Sequence, residues 1–276
     1  MYKKAYGIIE TLAPLHVGAA AGEESGNLNL IFRDQFTQTG IIPGSSIRGR
    51  FRADAKQNGM TEEDIAFWYG SKADNPDGTT EAYVKFEYAS LLWLPVFCPG
   101  QPIVWVTCKR LLKRYQRFVD KLKDKQIPEP YTGSQTLSAL NINNTKKLFF
   151  NFGFLTVEET DDLTAWFPSG EEFPAVVVAD DEIGMIHDMA LYRQTRTALA
   201  EDQKRVEHFF GVEALPEGTI LTFPIAIKSD ADKTIKSDAH KTWNPFNNAL
   251  LTTDTYLGGL ESIGFGHCQI SLKGDI

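Results

Sequence analysis

The chain has 276 residues, of which 42% are hydrophobic and 23% charged, and its formal net charge is −8. This composition is typical of a globular protein with enough apolar residues for one large core or two small ones. The chain has no run of about 18 apolar residues, so we expect no membrane-spanning helix. The polar start of the chain predicts no secretion signal.

The first predicted element is a strand over residues 4–12, where Tyr6 and Ile8 alternate with smaller residues. The stretch from 13 to 44 is rich in Gly, Ala, Asn, Thr and Pro and has no clear periodicity. A loop of this length in a compact domain is commonly functional. His16 lies at its start and is a candidate general acid or base, although a packed or capping histidine is the more common role.

The sequence from Ile42 to Arg52, I-P-G-S-S-I-R-G-R-F-R, predicts a Pro-Gly turn leading into a helix over residues 45–57. We expect Ser45 or Ser46 to cap this helix and Gly44 to let the main chain approach a ligand closely. Exposed amides and the positive end of the helix dipole favour a phosphate. Three cations, Arg48, Arg50 and Arg52, add charge that suits successive phosphodiesters. An ordinary capped surface helix is the alternative.

Aromatic and aliphatic residues predict paired strands within 82–94 and at 103–107. Residues 109–125 predict a basic helix whose apolar residues recur at three- and four-residue steps, so that one face packs inward. The other face either binds a polyanion or is solvated surface. Its cations are Lys109, Arg110, Lys113, Arg114, Arg117, Lys121, Lys123 and Lys125.

Further strands are predicted at 149–157, 175–178 and 220–227, and a glycine-rich turn plus strand closes the chain at 256–270. No internal repeat or low-complexity linker divides the sequence. We therefore predict a single α+β domain over residues 1–276 with large insertions.

The three cysteines, Cys98, Cys108 and Cys268, are odd in number and have no ligand-like spacing. This pattern argues against a disulfide framework and against a zinc site. The histidines show no metal-ligand spacing either. We expect a cytoplasmic protein with no tightly bound cofactor, no structural metal and no membrane partner.

Several short motifs recur in one order along the chain. They are LHVG at 15–18, RD at 33–34, TG at 39–40, IPGSSIRG at 42–49, LLWLPV at 91–96, WVTC at 105–108, RTAL at 196–199, VEALPEGT at 212–219 and LGGLESIGFG at 257–266. Together they resemble the RAMP superfamily of CRISPR-associated proteins, and in particular the large backbone subunits of Cmr-type (type III-B) effector complexes.

This resemblance implies a modified ferredoxin-like fold, similar to the RNA-recognition motif, with a thumb-like hairpin at about 185–211. It implies copies stacked as a filament on a CRISPR guide RNA, together with complementary target RNA and other type III effector subunits. The thumb would wedge against stacked bases; a surface helix with a partly buried apolar stripe is the alternative. The wedge residues would be Met185, Met189, Leu191 and Tyr192.

The resemblance also implies which residues contact RNA. The turn and adjoining helix would hold guide phosphates, with further contacts from the thumb, the early loop and the C-terminal glycine-rich loop. The expected RNA-binding residues are Arg33, Gly44, Ser45, Ser46, Arg48, Arg50, Arg52, Arg193, Arg196, Gly258 and Gly259. Glu213 matches a family position near the target strand, although a solvated residue before a Leu-Pro turn is an equal alternative.

Catalysis is where the sequence departs from the family. Relatives that cut target RNA carry an aspartate in the early loop, whereas the best-aligned residue here is Asn29, or Leu28 without a gap. An amide is a poor base and a poor Mg²⁺ ligand, so we expect impaired or absent cleavage. Three explanations remain open: a natural non-cleaving subunit, an engineered Asp-to-Asn change, or rescue by a nearby acid, namely Glu23, Glu24 or Asp34. Mg²⁺ would be needed only if cleavage is active.

Other enzyme classes lack their motifs. No G-x-G-x-x-G lies between a strand and a helix, and neither a G-x-S-x-G elbow nor a phosphate loop of the G-x-x-x-x-G-K-[ST] type is present. Three functions stay open: a silent guide-RNA scaffold, a metal-dependent endoribonuclease subunit cutting at regular intervals of about six nucleotides, and a guide-processing endonuclease from another branch of the superfamily.

Overall fold

The computed structural model describes residues 2–18, 28–71, 80–151, 153–199, 206–228, 243–246 and 250–276. Helices and strands alternate irregularly within these ranges, which confirms the predicted α+β class. The helices in them are α1 (Gly44–Gln57), α2 (Glu62–Tyr69), α3 (Lys109–Gln116) and α4 (Ile183–Ala190). No helix of the described ranges is both long enough and apolar enough to cross a membrane.

The strands are numbered in chain order. The first eight are β1 (Tyr2–Thr11), β2 (Leu28–Asn29), β3 (Ile41–Ile42), β4 (Val84–Phe86), β5 (Ala89–Cys98), β6 (Gln101–Cys108), β7 (Thr132–Ser134) and β8 (Leu140–Ile142). The others are β9 (Thr145–Phe150), β10 (Gly153–Val157), β11 (Glu159–Asp161), β12 (Ala175–Val178), β13 (Tyr192–Leu199), β14 (Val206–Ala214), β15 (Ile220–Lys228), β16 (Thr252–Tyr256) and β17 (His267–Gly274).

The centre of the fold is an antiparallel group of four strands in the order β17–β1–β15–β5. Because β15 is antiparallel to both β1 and β5, β1 and β5 run in the same direction, and α1 lies in the crossover between them. This is the strand order of a ferredoxin-like βαββαβ arrangement. Residues 229–242 and 247–249 of the crossover from β15 to β17 lie outside the described residues. The sheet continues from β5 through β6, β12 and β7 to β11.

The central sheet is buried on both faces. Ile9 of β1 and Phe223 of β15 pack with α1 and α2 through Phe51 and Trp68. On the opposite face, Trp93 of β5 joins α3 and a group of aromatic residues. β5 and the first half of β15 are therefore buried on both sides, whereas β17 alternates buried and partly exposed residues.

The predicted basic helix over residues 109–125 is wrong beyond Gln116. The chain leaves the helix at Arg117 and forms a short 3₁₀ turn at Asp120–Leu122. The side-chain amide of Gln116 donates to the carbonyls of Leu122 and Lys125 at 2.8 and 2.7 Å, which holds the chain folded back. The apolar residues keep their helical spacing through Leu122, but the chain is held in a different conformation after Gln116 by these hydrogen bonds.

Residues 149–157, predicted as one strand, form two strands of a hairpin, because β9 and β10 pair antiparallel from Phe150 and Gly153. Gly153 has a φ of +144°, a backbone conformation that L side chains rarely adopt. Together with β8 these strands make a small three-stranded sheet. The remaining small sheet consists of β13, β14 and β2.

The thumb-like insertion predicted at 185–211 begins later than expected. Met185 and Met189 lie on α4, which is anchored in the core by buried Ile183 and Ile186. The hairpin itself is β13 with β14, starting at Tyr192, and its residues 200–205 lie outside the described ranges. Leu191 is buried in the main core, so its prediction as a wedge residue is wrong.

Candidate nucleic-acid interface

The turn before α1 is a corner made by residues 43–46. Strand β3 hydrogen-bonds to β5, and Pro43 then acts as the N-cap of α1. Gly44 sits against the chain after β4: a Cβ atom added there would lie 2.4 Å from the carbonyl oxygen of Phe86. The glycine is therefore required for close packing of this corner, in addition to any ligand approach.

The first turn of α1 exposes main-chain donors. The amides of Ser46 and Ile47 donate to the carbonyl of Pro43 at 3.0 and 3.2 Å. The amides of Gly44 and Ser45 have no acceptor among the described residues. No side chain caps the helix, so the predicted Ser45 or Ser46 cap is wrong: both serines lie inside the first turn, and Ser45 is exposed. The unused donors at the positive helix end suit an anion.

The three arginines of α1 have different environments. Arg48 is exposed and has no carboxylate within ion-pair distance in the described ranges. Arg50 forms an ion pair with Asp54 one turn later, and Arg52 donates to the carbonyl of Gly70 at 3.0 Å. In this structure Arg50 and Arg52 stabilise α1 and its contact with the end of α2, whereas Arg48 points to solvent beside the corner.

A short irregular hairpin leads into the corner. The amide of Phe32 donates to Val17, and the amide of Ile41 donates to Phe32, both at 2.9 Å. Asp34 closes the turn by accepting from the amides of Phe36 and Thr37 at 2.9 and 2.8 Å. Partial burial alone would raise the pKa of Asp34, but these hydrogen bonds outweigh it and hold the pKa below its usual range. Asp34 is thus a turn-closing residue and a weak candidate for a base.

Four charged side chains meet behind this hairpin. Glu213, only 2% exposed, accepts from Arg33 at 2.9 Å and from Arg193 at 3.1 Å. Asp188 of α4 bridges the same two guanidiniums at 3.2 and 2.9 Å. Partial burial alone would raise the pKa of Asp188, but both arginines lower it, and the net shift is downward. We call these four residues the ion cluster; it joins the hairpin, α4 and β14.

The ion cluster changes the interpretation of two predicted RNA contacts. Arg33 and Arg193 each bind two carboxylates, so much of their charge is neutralised internally. Arg196, by contrast, lies over the ring of its cross-strand neighbour Phe210, with the guanidinium carbon 5.2 Å from the ring centre. No ion pair involves Arg196 in the described ranges, and the residue remains a candidate RNA contact on the hairpin.

His16 is buried beside the ion cluster. Its Nδ1 atom lies 2.7 Å from the main-chain oxygen of Glu213, and because that oxygen only accepts, Nδ1 carries the proton. The C-terminal glycine-rich loop covers its main chain: the amide of Gly259 donates to the carbonyl of His16 at 3.0 Å. A Cβ atom at Gly258 would lie 2.1 Å from that same oxygen. Gly258 and Gly259 therefore pack this loop against residues 16–17.

Asn29 lies beside the β13–β14 hairpin. Strand β2 runs parallel to β14 with Asn29 beside Val212, one residue before Glu213. The structure thus places the two candidate catalytic residues, Asn29 and His16, along the same end of β14. Glu23 and Glu24 lie outside the described residues. Within the described ranges, no group of three or more Cys, His, Asp or Glu residues is placed to hold a metal ion.

A further basic surface surrounds α3. The sequence predicted the cations of this helix but not where the helix lies in the fold. A groove of about 860 Å³ is lined by the cations Lys109, Arg110, Lys113, Arg114 and Arg117, and also by Gln126, Ile127, Glu129 and Asp180. The Arg114 guanidinium group donates to the Ser90 hydroxyl at 2.9 Å and to the Tyr88 carbonyl at 3.2 Å. These two residues adjoin the β5 positions that pair with β3, so α3 lies next to the corner.

The sequence and the fold were each compared with known proteins. A sequence model of the RAMP superfamily matches residues 8–269. No curated protein matches the chain at a significant level. Among solved structures, a chain of the type III-B Cmr-beta complex bound to cognate target RNA has a TM-score of 0.71 and 21% identity, with 98% of this chain and 96% of that chain covered.

Two further structures have the same fold. A chain of apo Cmr-beta has a TM-score of 0.71 at 19% identity, covering 99% of this chain and 98% of its own. Oligomeric Cmr4 from Pyrococcus furiosus has a TM-score of 0.71 at 19% identity and full coverage, 100% of both chains. The family match covers nearly the whole sequence, which confirms the resemblance seen in the motifs. The chain belongs to the RAMP superfamily.

Proposed function

We propose that this protein is a guide-RNA-binding backbone subunit of a type III CRISPR ribonucleoprotein. The observation that carries the proposal is the corner, where the amides of Gly44 and Ser45 have no acceptor in the described ranges and the exposed Arg48 follows on the same helix. Main-chain amides at a helix start bind phosphate without reading bases. The corner therefore suits RNA backbone of any sequence, as a guide scaffold requires.

The solved relatives support the choice of partners. One of them is a Cmr-beta complex with cognate target RNA, and another is oligomeric Cmr4. By analogy, several copies of this chain would line one guide RNA, alongside other effector subunits and a complementary target. The exposed hairpin, with Tyr192 and Arg196 near its base, is the element available to reach along the RNA or to a neighbouring copy.

An RNA-binding test can be aimed at Arg48. Arg48→Glu in the assembled complex should weaken guide RNA binding to a similar extent for unrelated guide sequences, because a backbone contact is lost. Lys56→Glu, at the other end of the same helix, makes the same charge change and should have little effect. Photo-crosslinking from position 45 should yield an RNA adduct. No adduct together with unchanged binding in Arg48→Glu would reject the corner as the RNA site.

We further propose that the subunit does not cleave target RNA. The motif alignment puts Asn29, or Leu28 without a gap, at the family aspartate position, and neither is acidic. Asp34, the described acid among the three rescue candidates, is engaged in closing its own turn. Removing a general base commonly lowers the rate by about 10² to 10⁴. Complexes with the unaltered chain should leave labelled target RNA intact in Mg²⁺, and Asn29→Asp should introduce regularly spaced products. Such products from the unaltered chain would instead support an active endoribonuclease subunit.

A further inference from the structure

The exposed side of α3 is the most concentrated basic surface in the described ranges. Besides the groove of about 860 Å³, three smaller grooves of about 320, 470 and 150 Å³ also border this helix or the turn after it. Arg117 lines all four. We call this surface the α3 face and define it by Lys4, Arg110, Lys113, Arg117 and Lys121.

The cations of the α3 face interact with a few neighbouring carboxylates through space, Arg110 with Asp34 and Lys4 with Asp120, without forming ion pairs. None of its five members has a carboxylate within ion-pair distance in the described part of the chain. Nearby acids are already engaged: Glu129 binds Lys109 at 2.7 Å, and Asp120 binds Lys123. Unpaired cations of this density favour an external polyanion, although the formal net charge is −8.

The spacing along α3 suits a chain of phosphates. Arg110, Lys113 and Arg117 follow one another at steps of three and four residues, so they lie along one side of the helix at axial intervals of about 4.5 and 6 Å. A single small anion would contact only one or two of these groups. A linear polymer with regularly spaced charges can contact all three.

Aromatic rings hold two guanidiniums of α3 in extended positions. The Arg110 guanidinium carbon lies 5.2 Å from the ring centre of Phe36, a side chain that is 75% exposed. Arg114 lies 4.1 Å from the ring centre of Tyr88. Such contacts orient the guanidinium planes, and nucleobases stack readily on both aromatic rings and guanidiniums.

The start of α3 is not the binding element. Asp180 accepts from the amide of Arg110 at 2.9 Å and so occupies the helix end with a protein carboxylate. A ligand of the α3 face therefore meets side chains along the helix. This arrangement separates the α3 face from the corner, where main-chain amides are the donors.

The α3 face nevertheless continues from the corner. Arg114 contacts Glu87, Tyr88 and Ser90, while the backbone from Phe86 to Glu87 packs against Gly44. The same short stretch, residues 86–90, thus separates the first turn of α1 from α3. Residues 86–90 therefore connect the corner to Arg114 of α3 through direct contacts.

We propose that the α3 face is a second phosphodiester-binding track, which holds single-stranded RNA that continues from the corner. This proposal rests on the proposed function for its RNA partner, but it concerns a different set of residues. An acidic protein surface is the other chemistry that such a face would accept. The regular spacing along one helix side and the adjoining corner favour RNA.

The test uses the full chain and fluorescently labelled single-stranded RNA of mixed sequence, with binding measured over a range of salt concentrations. The triple variant Arg110→Ala, Lys113→Ala, Arg117→Ala removes three contacts from exposed positions. For single strands each contact contributes about 0.7 to the slope of log K against log salt, so the slope should become less steep by about 2. At about 0.1 M salt this corresponds to roughly 100-fold weaker binding.

Two matched variants separate the outcomes. Lys56→Ala, Lys146→Ala, Lys147→Ala removes the same charge from residues that line none of the four grooves, and it should leave the slope nearly unchanged. Arg48→Glu reports on the corner alone. An unchanged slope in the α3 variant, with weakened binding in Arg48→Glu, would overturn the α3 track and leave the proposed function intact. A changed slope in the α3 variant alone would support the track and count against the corner.

The acidic-protein alternative has its own signature. If the α3 variant binds RNA normally but no longer assembles with the effector subunits, the α3 face is a protein-binding surface and the proposal is wrong. Circular dichroism of each variant shows whether the fold is retained. Folding should be unaffected, because the substituted side chains of Arg110, Lys113 and Arg117 are all exposed.

Discussion

Removing the Glu213 carboxylate should destabilise the protein strongly, because it is the most buried member of the ion cluster. The side chain is 2% exposed, whereas Arg33 and Arg193 are 23% and 43% exposed. Glu213→Ala leaves two guanidiniums without their shared buried partner and opens space beneath them. Two guanidiniums then share the single carboxylate of Asp188.

The loss of unfolding free energy depends on the ion pairs that Asp188 still makes. Breaking a buried ion pair by removing one partner costs about 3–5 kcal/mol of unfolding free energy. Asp188 still binds both arginines, at 3.2 and 2.9 Å, and both reach solvent in part. We therefore expect the lower end, about 3 kcal/mol. In a protein of this size the melting temperature falls by about 2 °C per kcal/mol, so Tm should drop by about 6 °C.

Urea and thermal denaturation measure this change directly. The control is Glu129→Ala, which removes a carboxylate 2.7 Å from Lys109 but in a pair whose side chains are 58% and 37% exposed. That pair should contribute less than about 1 kcal/mol. Equal losses from the two variants would refute the argument from burial. A double-mutant cycle with Arg33→Ala should also give a coupling of at least about 1 kcal/mol, whereas additivity within about 0.5 kcal/mol would show that the cluster does not act together.

Three further results are expected. Burial lowers the pKa of His187 to about 3, with Arg33 acting in the same direction. Because the unfolded histidine titrates near 6.5, stability should fall by about 1.4 kcal/mol per pH unit between that value and about pH 3. His187→Gln should show a shallower pH dependence in urea titrations. Gly44→Ala should lose about 1–3 kcal/mol through contact with the Phe86 carbonyl, whereas Gly49→Ala, which meets nothing within 4 Å, should gain about 0.5–1 kcal/mol; equal melting temperatures would contradict this contrast. Iodoacetamide should label the native protein slowly and the unfolded protein fully, since burial raises the pKa of all three thiols; mass spectrometry reports the labelling of Cys98, Cys108 and Cys268.

The sequence was sufficient for features that depend on local chemistry. The Pro-Gly turn predicted the start of α1 to within a residue, and alternating or apolar runs located most of the central strands. The apolar positions Leu111, Leu112 and Tyr115 are buried, as the helical spacing indicated. These predictions hold because the pattern and the local backbone preference agree.

Other features depend on contacts between distant residues and could not be predicted. Nothing in the sequence near position 33 indicates that its guanidinium meets carboxylates at 188 and 213. At shorter range, the two hydrogen bonds from the Gln116 side-chain amide to the carbonyls of Leu122 and Lys125, where α3 ends, are also not revealed by periodicity. Sequence reasoning therefore assigned Arg33 and Arg193 to RNA, whereas the structure pairs both with the buried Glu213 and the half-exposed Asp188.

The division of the arginines explains how a chain with a formal charge of −8 can bind a polyanion. Arginines with carboxylate partners, such as Arg33 and Arg50, stabilise the fold and should release few counterions if RNA binds as proposed. Those without a carboxylate partner, Arg48 at the corner and Arg110 and Arg117 on the α3 face, should then determine the salt dependence. Long-range repulsion from the net charge is screened within about 8 Å at physiological ionic strength, which is comparable to the spacing of the cations along α3. Local cation density, more than the total charge, therefore decides where RNA backbone can bind.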